Sequence, residues 1–252
     1  MFTIVVIGTG NVGLHLCKAI NASKDLNLIQ FYNRSKTSTT NSLRNIPFTS
    51  EISRLKEADL YIIAVSDDAI EKVSNSLIFE KRLVVHTSGF CPMKSLNNKN
   101  RRGVFYPLQT FTKASNLSFK NVPICIEATE KKDRKILKNI ANTLGSQTYF
   151  IQSEQRQALH LSAVFINNFT NQIYRIAHEL TDKENLDFDI LKPLINETAH
   201  KVNNLSPYLA QTGPAKRNDK KVIKKHLRLL HNNPNYQKIY EILTKSIQKT
   251  HG

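Results

Sequence analysis

The residues Gly8-Thr9-Gly10-Asn11-Val12-Gly13 constrain this chain more than any other feature. They fit G-x-G-x-x-G. Phe2-Thr3-Ile4-Val5-Val6-Ile7 before them is an apolar, β-branched run and reads as a buried strand. After them, Leu14, Leu16, Cys17, Ala19 and Ile20 recur at helical spacing. Strand, glycine turn and helix in that order form the dinucleotide-binding fingerprint. Gly8 permits the tight turn, Gly10 lets the backbone approach a pyrophosphate, and Gly13 lets helix and strand pack closely. Free N–H groups at Asn11 and Val12 and the helix dipole then hold the phosphates. The alternative is a glycine turn that merely packs.

The second strand sharpens the expectation. Leu28-Ile29-Gln30-Phe31-Tyr32-Asn33 reads as that strand, and Asn33 lies twenty residues after Gly13. An NAD site places Asp or Glu here for the ribose 2′-hydroxyl. This chain has Asn33-Arg34-Ser35 instead. A guanidinium pairs with a 2′-phosphate through charge-assisted, bidentate hydrogen bonds, and Ser35 supplies another donor. NADP is therefore expected over NAD.

Composition excludes several classes. With 252 residues, of which 40% are hydrophobic, the chain can form one large or two modest domains. Cys17, Cys91 and Cys125 lack C-x-x-C or metal-like spacing and read as packing residues. Sparse cysteine fits a reducing compartment. No run approaches the ~20 apolar residues of a membrane span. The first residues enter a core strand with no basic n-region, so a cytoplasmic location is expected. The net charge is +16. Its Lys and Arg are spread along the whole chain, and the densest stretch, Lys216 to Arg228, has no aromatic interleaving or RNA-binding signature. Nucleic acid is not expected as a partner; a basic surface also attracts anionic cofactors and substrates.

Strand-like and helix-like segments alternate through the first part of the chain. After a polar, helical Lys36–Arg44 stretch and a turn at Pro47 come Asp59–Val65, Leu83–His86, Gly103–Tyr106 and Pro123–Glu127 as strands. A helix over Lys131–Leu144 and a strand near Gln147–Ile151 follow. Such alternation predicts an α/β fold with a mostly parallel, doubly wound sheet. From Ser153 the pattern is helical to the end: Glu154–Leu180, Phe188–Asn204, Asn218–Leu230 and Tyr236–Gln248. The expected domains are 1–152 and 153–252. Glu154–Leu180 is apolar around most of its circumference, which suits burial on most sides. In a small domain this points to a homodimer built through the C-terminal helices.

Ligands of open α/β sheets sit beyond the carboxyl ends of the strands. The segments there are Val65-Ser66-Asp67-Asp68, Thr87-Ser88-Gly89 and Pro107-Leu108-Gln109-Thr110. Val65 and Ser66 are assigned to the cofactor, and Thr87, Ser88, Gly89 and Gln109 to a substrate. Ser66 also reads as a helix cap, and Gln109 as a loop-bonding residue. On the long helix His160 is followed by Asn167, Asn168 and Asn171. At 3.6 residues per turn Asn167 and Asn171 lie within ~20° of His160, and Asn168 ~80° away. Buried amides need partners; a ligand or interhelical hydrogen bonding supplies them.

These segments occur in order with three others: Tyr106-Pro107-Leu108-Gln109-Thr110-Phe111, His160-Leu161-Ser162-Ala163-Val164-Phe165-Ile166-Asn167-Asn168-Phe169, and Thr212-Gly213-Pro214-Ala215-Lys216-Arg217-Asn218-Asp219 with His226-Leu227. Together they resemble a bacterial family assigned as NADP-dependent oxidoreductases, whose members pair a Rossmann-like domain with a helical C-terminal domain of unknown function. The family is similar to pyrroline-5-carboxylate reductases, deazaflavin-dependent NADP oxidoreductases and β-hydroxyacid dehydrogenases. The resemblance implies the fold, the cofactor class and a dimer. It does not carry over the hydroxyacid mechanism. That mechanism uses a Lys with an Asn one turn later, where this chain has His160 and Val164; Lys192 and Asn196 have the spacing, but Pro193 marks a helix start. Relatives often have His where this chain has Tyr106.

The expected activity is hydride transfer between NADP and a small C=O or C=N substrate in a cleft between the domains. His160 is the expected proton donor. Asn168 joins it in the catalytic set, and Asn171 and Thr212 join the substrate contacts. The alternative is a non-catalytic NADP-binding redox sensor.

Overall fold

A computed structural model describes residues 1–35, 43–115 and 117–251. The chain divides into two compact units, Met1–Asn168 and Phe169–Gly252. The expected Lys36–Arg44 helix falls mostly outside the described residues.

The first unit is built on one eight-stranded sheet. Its strands are β1 (Phe2–Ile7), β2 (Leu26–Tyr32), β3 (Phe48–Thr49), β4 (Leu60–Ile63), β5 (Leu83–His86), β6 (Arg101–Pro107), β7 (Ile124–Ala128) and β8 (Thr148–Phe150). The spatial order is β3-β2-β1-β4-β5-β6-β7-β8. All pairs are parallel except β6 with β7. The helices are α1 (Asn11–Ala22), α2 (Asp67–Asn75), α3 (Lys131–Thr143) and α4 (Ser153–Ala163). A π-helical turn, Val164–Phe169, continues α4.

β1 shows why the sheet is covered on both faces. Ile4 and Val6 pack with Leu14, Leu16, Cys17 and Ile20 of α1. Val5 and Ile7 belong to a second cluster with Ile70 of α2. A strand buried on both faces must be apolar throughout, as Ile4–Ile7 is. The three cysteines are free and buried. Burial pushes the Cys17 thiol up to about 12 and the Cys125 thiol to about 11, so they act as packing residues.

A buried charge fixes α4 to the sheet. Arg156 is 0% exposed. Its Nη1 pairs with Glu127 on β7, and its Nη2 donates to the Cys91 carbonyl at 2.6 Å. Ser153 Oγ donates to Glu127 Oε2 at 2.8 Å and accepts from Met93 N–H at 3.1 Å. Gln157 Nε2 donates to the Phe90 carbonyl at 2.9 Å. Removing one partner of a buried pair leaves the other charge uncompensated. Arg156→Met should therefore destabilise the protein by about 3–5 kcal/mol. Urea denaturation measures it; a loss below about 1 kcal/mol would contradict the role.

His86, at the end of β5, is fully buried. Its Nδ1 accepts from Ser88 N–H at 3.2 Å, and its Nε2 finds no partner in hydrogen-bonding geometry among the described residues. Burial first, and the Arg156 charge second, push its pKa down from 6.5 to about 3, with the Pro92 carbonyl opposing. Above pH 6.5 the ring is neutral in both folded and unfolded chains. Between 6.5 and about 3 only the unfolded chain takes up the proton, so stability falls as pH falls through that window. From pH 6.5 to 5.0 this group should remove about 2 kcal/mol. His86→Gln should lose that much less over the same interval in denaturant titrations. Equal pH slopes in the two proteins would refute the neutral buried histidine.

The second unit is helical: α5 (Thr170–Lys183), α6 (Lys192–Asn204), α7 (Pro207–Ala210), α8 (Lys220–Leu229) and α9 (Pro234–His251). A 3₁₀ turn, Phe188–Leu191, leads into α6, where Pro193 occupies the first turn. Asp219 caps α8 by accepting from Val222 N–H at 3.1 Å. Internal bonds include Tyr236 Oη to Glu179 and Tyr240 Oη with His226 Nδ1 at 2.9 Å. Many large apolar side chains of this unit stay exposed, among them Ile190, Leu194 and Leu209. No helix among the described residues is long and apolar enough to cross a membrane.

Candidate functional site

The site begins at the glycine turn. Gly8 has φ +101°, and a Cβ there would lie 2.5 Å from the Ala64 carbonyl oxygen. Its N–H donates to the Tyr32 carbonyl at 2.8 Å, and Ala64 N–H donates to the Ile7 carbonyl at 2.7 Å. The turn thus lies across the carboxyl ends of β1, β2 and β4. A Cβ on Gly13 would lie 2.0 Å from the Gly8 carbonyl oxygen, so α1 starts hard against the turn. A Cβ on Gly10 would meet nothing within 4 Å. Gly10 is the N-cap of α1; no side chain caps it, and no acidic residue occupies the first turn. The first N–H groups of α1 are therefore left for an anion.

The strand order reverses between β1 and β4, with β2 and β3 on one side and β5 on the other. This switch point is where open α/β sheets bind ligands. A cavity of about 730 Å³ lies there, within the usual 300–1,000 Å³ of ligand pockets. Gly8, Gly10, Asn11, Val12, Asn33, Arg34, Val65, Ser66, Thr87, Ser88, Gly89, Gln109 and His160 all line it. Of the other expected residues, Gly13 packs beneath the turn, while Ser35 and Asn168 do not line the cavity. The Ser35 carbonyl accepts from Asn33 Nδ2 at 3.0 Å and closes the 33–35 turn. Asn171 and Thr212 belong to the second unit.

Around the glycine turn the cavity wall is basic and apolar. Arg34 and Lys72 line it together with Ile52 and Val73. Among the described residues neither cation pairs with a carboxylate. Lys72 was not foreseen from the sequence. Asp67, Ala69, Lys72 and Val73 of α2 and its C-cap Ser76 line the cavity; from Ala69 on they follow the i, i+3, i+4, i+7 pattern of one helix side, and that spacing was the available signal. Ser66 sits at the N-cap of α2 but makes no side-chain capping bond. It stands at the expected cap position, and it also lines the cavity.

Beyond β5 and β6 the lining is polar. Ser88 Oγ accepts from Phe90 and Cys91 N–H at 3.0 and 2.8 Å, which leaves its own proton to donate. Gln109 Oε1 accepts from Thr110 N–H at 2.8 Å, which leaves its amide nitrogen as a donor. Tyr106 also lines the cavity, and its Oη lies 3.1 Å from His160 Nδ1. Burial pushes the phenol up to about 12, so it stays protonated.

The π turn changes the helix geometry expected after His160. A π turn closes on i→i+5 and takes about one extra residue. Asn168, rather than Asn167, therefore comes into phase with His160 about two turns on. The uniform 3.6-residue spacing used in the sequence reading is corrected here.

The fold and sequence have known relatives. A crystal structure named "putative NADP oxidoreductase BF3122", from Bacteroides fragilis, is 41% identical over 98% of both chains, with a TM-score of 0.88. Protein TM1727 from Thermotoga maritima is 21% identical over 98% of both chains, with a TM-score of 0.74. Pyrroline carboxylate reductase from Plasmodium falciparum, solved with NADP bound, is 13% identical over 100% of this chain and 98% of its own, with a TM-score of 0.60. The last two show a common Rossmann-like fold. No curated protein sequence matches the chain. Residues 122–247 match the family described as "Domain of unknown function (DUF2520)". With that match and the Bacteroides relative, the chain belongs to the DUF2520 family.

Proposed function

We propose that this protein is an NADP-dependent oxidoreductase acting on a small C=O or C=N compound. The observation that carries this reading is one cavity lined by the open glycine turn, by Arg34 and by His160. The names of the Bacteroides and Plasmodium relatives support it.

The residues fit the cofactor. The uncapped start of α1 receives the pyrophosphate, since Gly10 leaves room where any side chain would intrude. Arg34 takes the 2′-phosphate. Ile52 and Val73 give an apolar wall for the adenine. When bound, NADPH supplies the hydride. His160 supplies the proton that completes C=O to CH–OH or C=N to CH–NH. The Thr87 and Ser88 hydroxyls and the Gln109 amide orient the substrate. Asn168 is in phase with His160 but does not line the cavity, so it is assigned no substrate contact. NADPH fluorescence on mixing, followed by a screen of imines, oxo acids and aldehydes, tests the activity. NADPH binding without turnover of any compound would favour a redox sensor.

NADP(H) should bind at least tenfold more tightly than NAD(H), a difference of ~1.4 kcal/mol. Arg34→Ala should remove most of that preference. Calorimetry giving equal affinities in the wild-type protein would sink the assignment of Arg34.

The apolar residues left uncovered on the helices are assigned to a homodimer. Ile166 is 76% exposed, and Ile190 and Leu194 are 68% and 62% exposed. Exposed large apolar side chains of this kind mark an association site. Light scattering at micromolar concentration should give twice 28.7 kDa. A clean monomer would contradict the dimer.

A further inference from the structure

The imidazole of His160 is held at its Nδ1 edge by two residues. Tyr106 of β6 brings Oη to 3.1 Å from Nδ1, with the rings 6.0 Å apart at 73°. Gly89 lies against the same Nδ1 edge, beside the Tyr106 ring. A Cβ there would come 2.6 Å from Nδ1, 2.9 Å from Cγ and 2.7 Å from Tyr106 Cζ. The φ of Gly89 is not in the left-handed region, so space and not backbone conformation requires glycine. The segment that carries Gly89 is tied to the helix that carries His160: Arg156 donates to the Cys91 carbonyl and Gln157 to the Phe90 carbonyl. Ring, phenol and glycine therefore keep one arrangement.

The hydrogen-bond inventory then selects a tautomer. Among the described residues, the Tyr106 hydroxyl bonds only to His160 Nδ1. A partly buried hydroxyl donor needs an acceptor. A neutral imidazole offers a single acceptor nitrogen. Donation from Oη to Nδ1 satisfies both groups and leaves the ring proton on Nε2. The opposite tautomer would aim Nδ1–H at Oη and leave the phenolic proton with no acceptor among the described residues. Because His160 lines the cavity and Nδ1 is engaged, Nε2 is the nitrogen free to meet a ligand.

We propose that Tyr106 is a positioning residue: its hydroxyl donates to His160 Nδ1, fixes the Nε2–H tautomer and reserves Nε2 for the substrate. This rests on the reading of His160 as the proton-transferring group. It gives Tyr106 a role where the hydroxyl acts through the histidine rather than on the substrate.

The tautomer is measurable without a substrate. Long-range ¹H–¹⁵N spectra of the full-length protein, labelled at histidine, resolve the two ring nitrogens. The His160 signals are identified by their loss in His160→Gln. The wild-type neutral ring should show Nδ1 unprotonated and Nε2 protonated. Tyr106→Phe should shift the Nδ1 signal and mix the two tautomers. A protonated Nδ1 in the wild-type ring, or ring signals unchanged by Tyr106→Phe, would overturn the proposal. Should the variant fail to fold, the wild-type tautomer alone decides. Adding NADP⁺ separates the two readings. Movement of the His160 signals supports its place at the cofactor. NADP⁺ binding by calorimetry with those signals unmoved overturns the catalytic reading of His160, while the tautomer result stands or falls by itself.

Discussion

The contact on which the site depends is the seat of α1 on the glycine turn. Gly13 lies so close to the Gly8 carbonyl that a Cβ would reach within 2.0 Å of its oxygen. No side chain fits there. The contact holds the first turn of α1 over the carboxyl end of β1. The uncapped N–H groups consequently open into the cavity at the switch point of the sheet. A larger residue at Gly13 would move the helix and its dipole together, and the proposed phosphate site would go with them. Gly8 does the same from below, since its left-handed conformation turns the chain under Ala64.

A second constraint works at the opposite side of the cavity. Burying Arg156 is unfavourable unless its charge is paired and its donors are used. Glu127 pairs its charge, and the Cys91 carbonyl and Ser153 take its terminal nitrogens, while its Nε has no partner among the described residues. The pairing joins β7, the loop after β5 and the start of α4, so the histidine one turn further along has a defined place. The same positive charge helps keep His86 neutral. The strand end that presents Thr87 and Ser88 is thus stabilised by a ring that must not take up a proton. Electrostatics in the core and polar groups in the cavity are parts of one arrangement.

Much of this was legible in the sequence, and the physical reason is locality. β1, the glycine turn and α1 are contiguous, and each declares itself by a short pattern. Leu83–His86 was read with its observed bounds because a four-residue apolar run admits little else. β3 was missed because two residues beside Pro47 carry no periodicity. The reversed direction of β7 was not read, since an apolar run does not encode direction. Arg156 and Glu127 lie 29 residues apart, and a pair between distant elements leaves no local mark. The π turn after α4 was likewise hidden, because Val164–Phe169 has an ordinary helical composition. Tyr106 was noted as a departure from relatives, but its bond to His160 emerged only when β6 and α4 were seen together.

The central claim is that the glycine turn and Arg34 hold the two anionic groups of one dinucleotide, its pyrophosphate and its 2′-phosphate. A crystal structure of the protein grown with NADPH tests it most directly. The account predicts the pyrophosphate on the N–H groups of Asn11 and Val12, the 2′-phosphate on the Arg34 guanidinium, and the nicotinamide on the side of Thr87-Ser88-Gly89. A dinucleotide bound away from Gly8–Gly13, or an empty cavity at saturating NADPH, would contradict it.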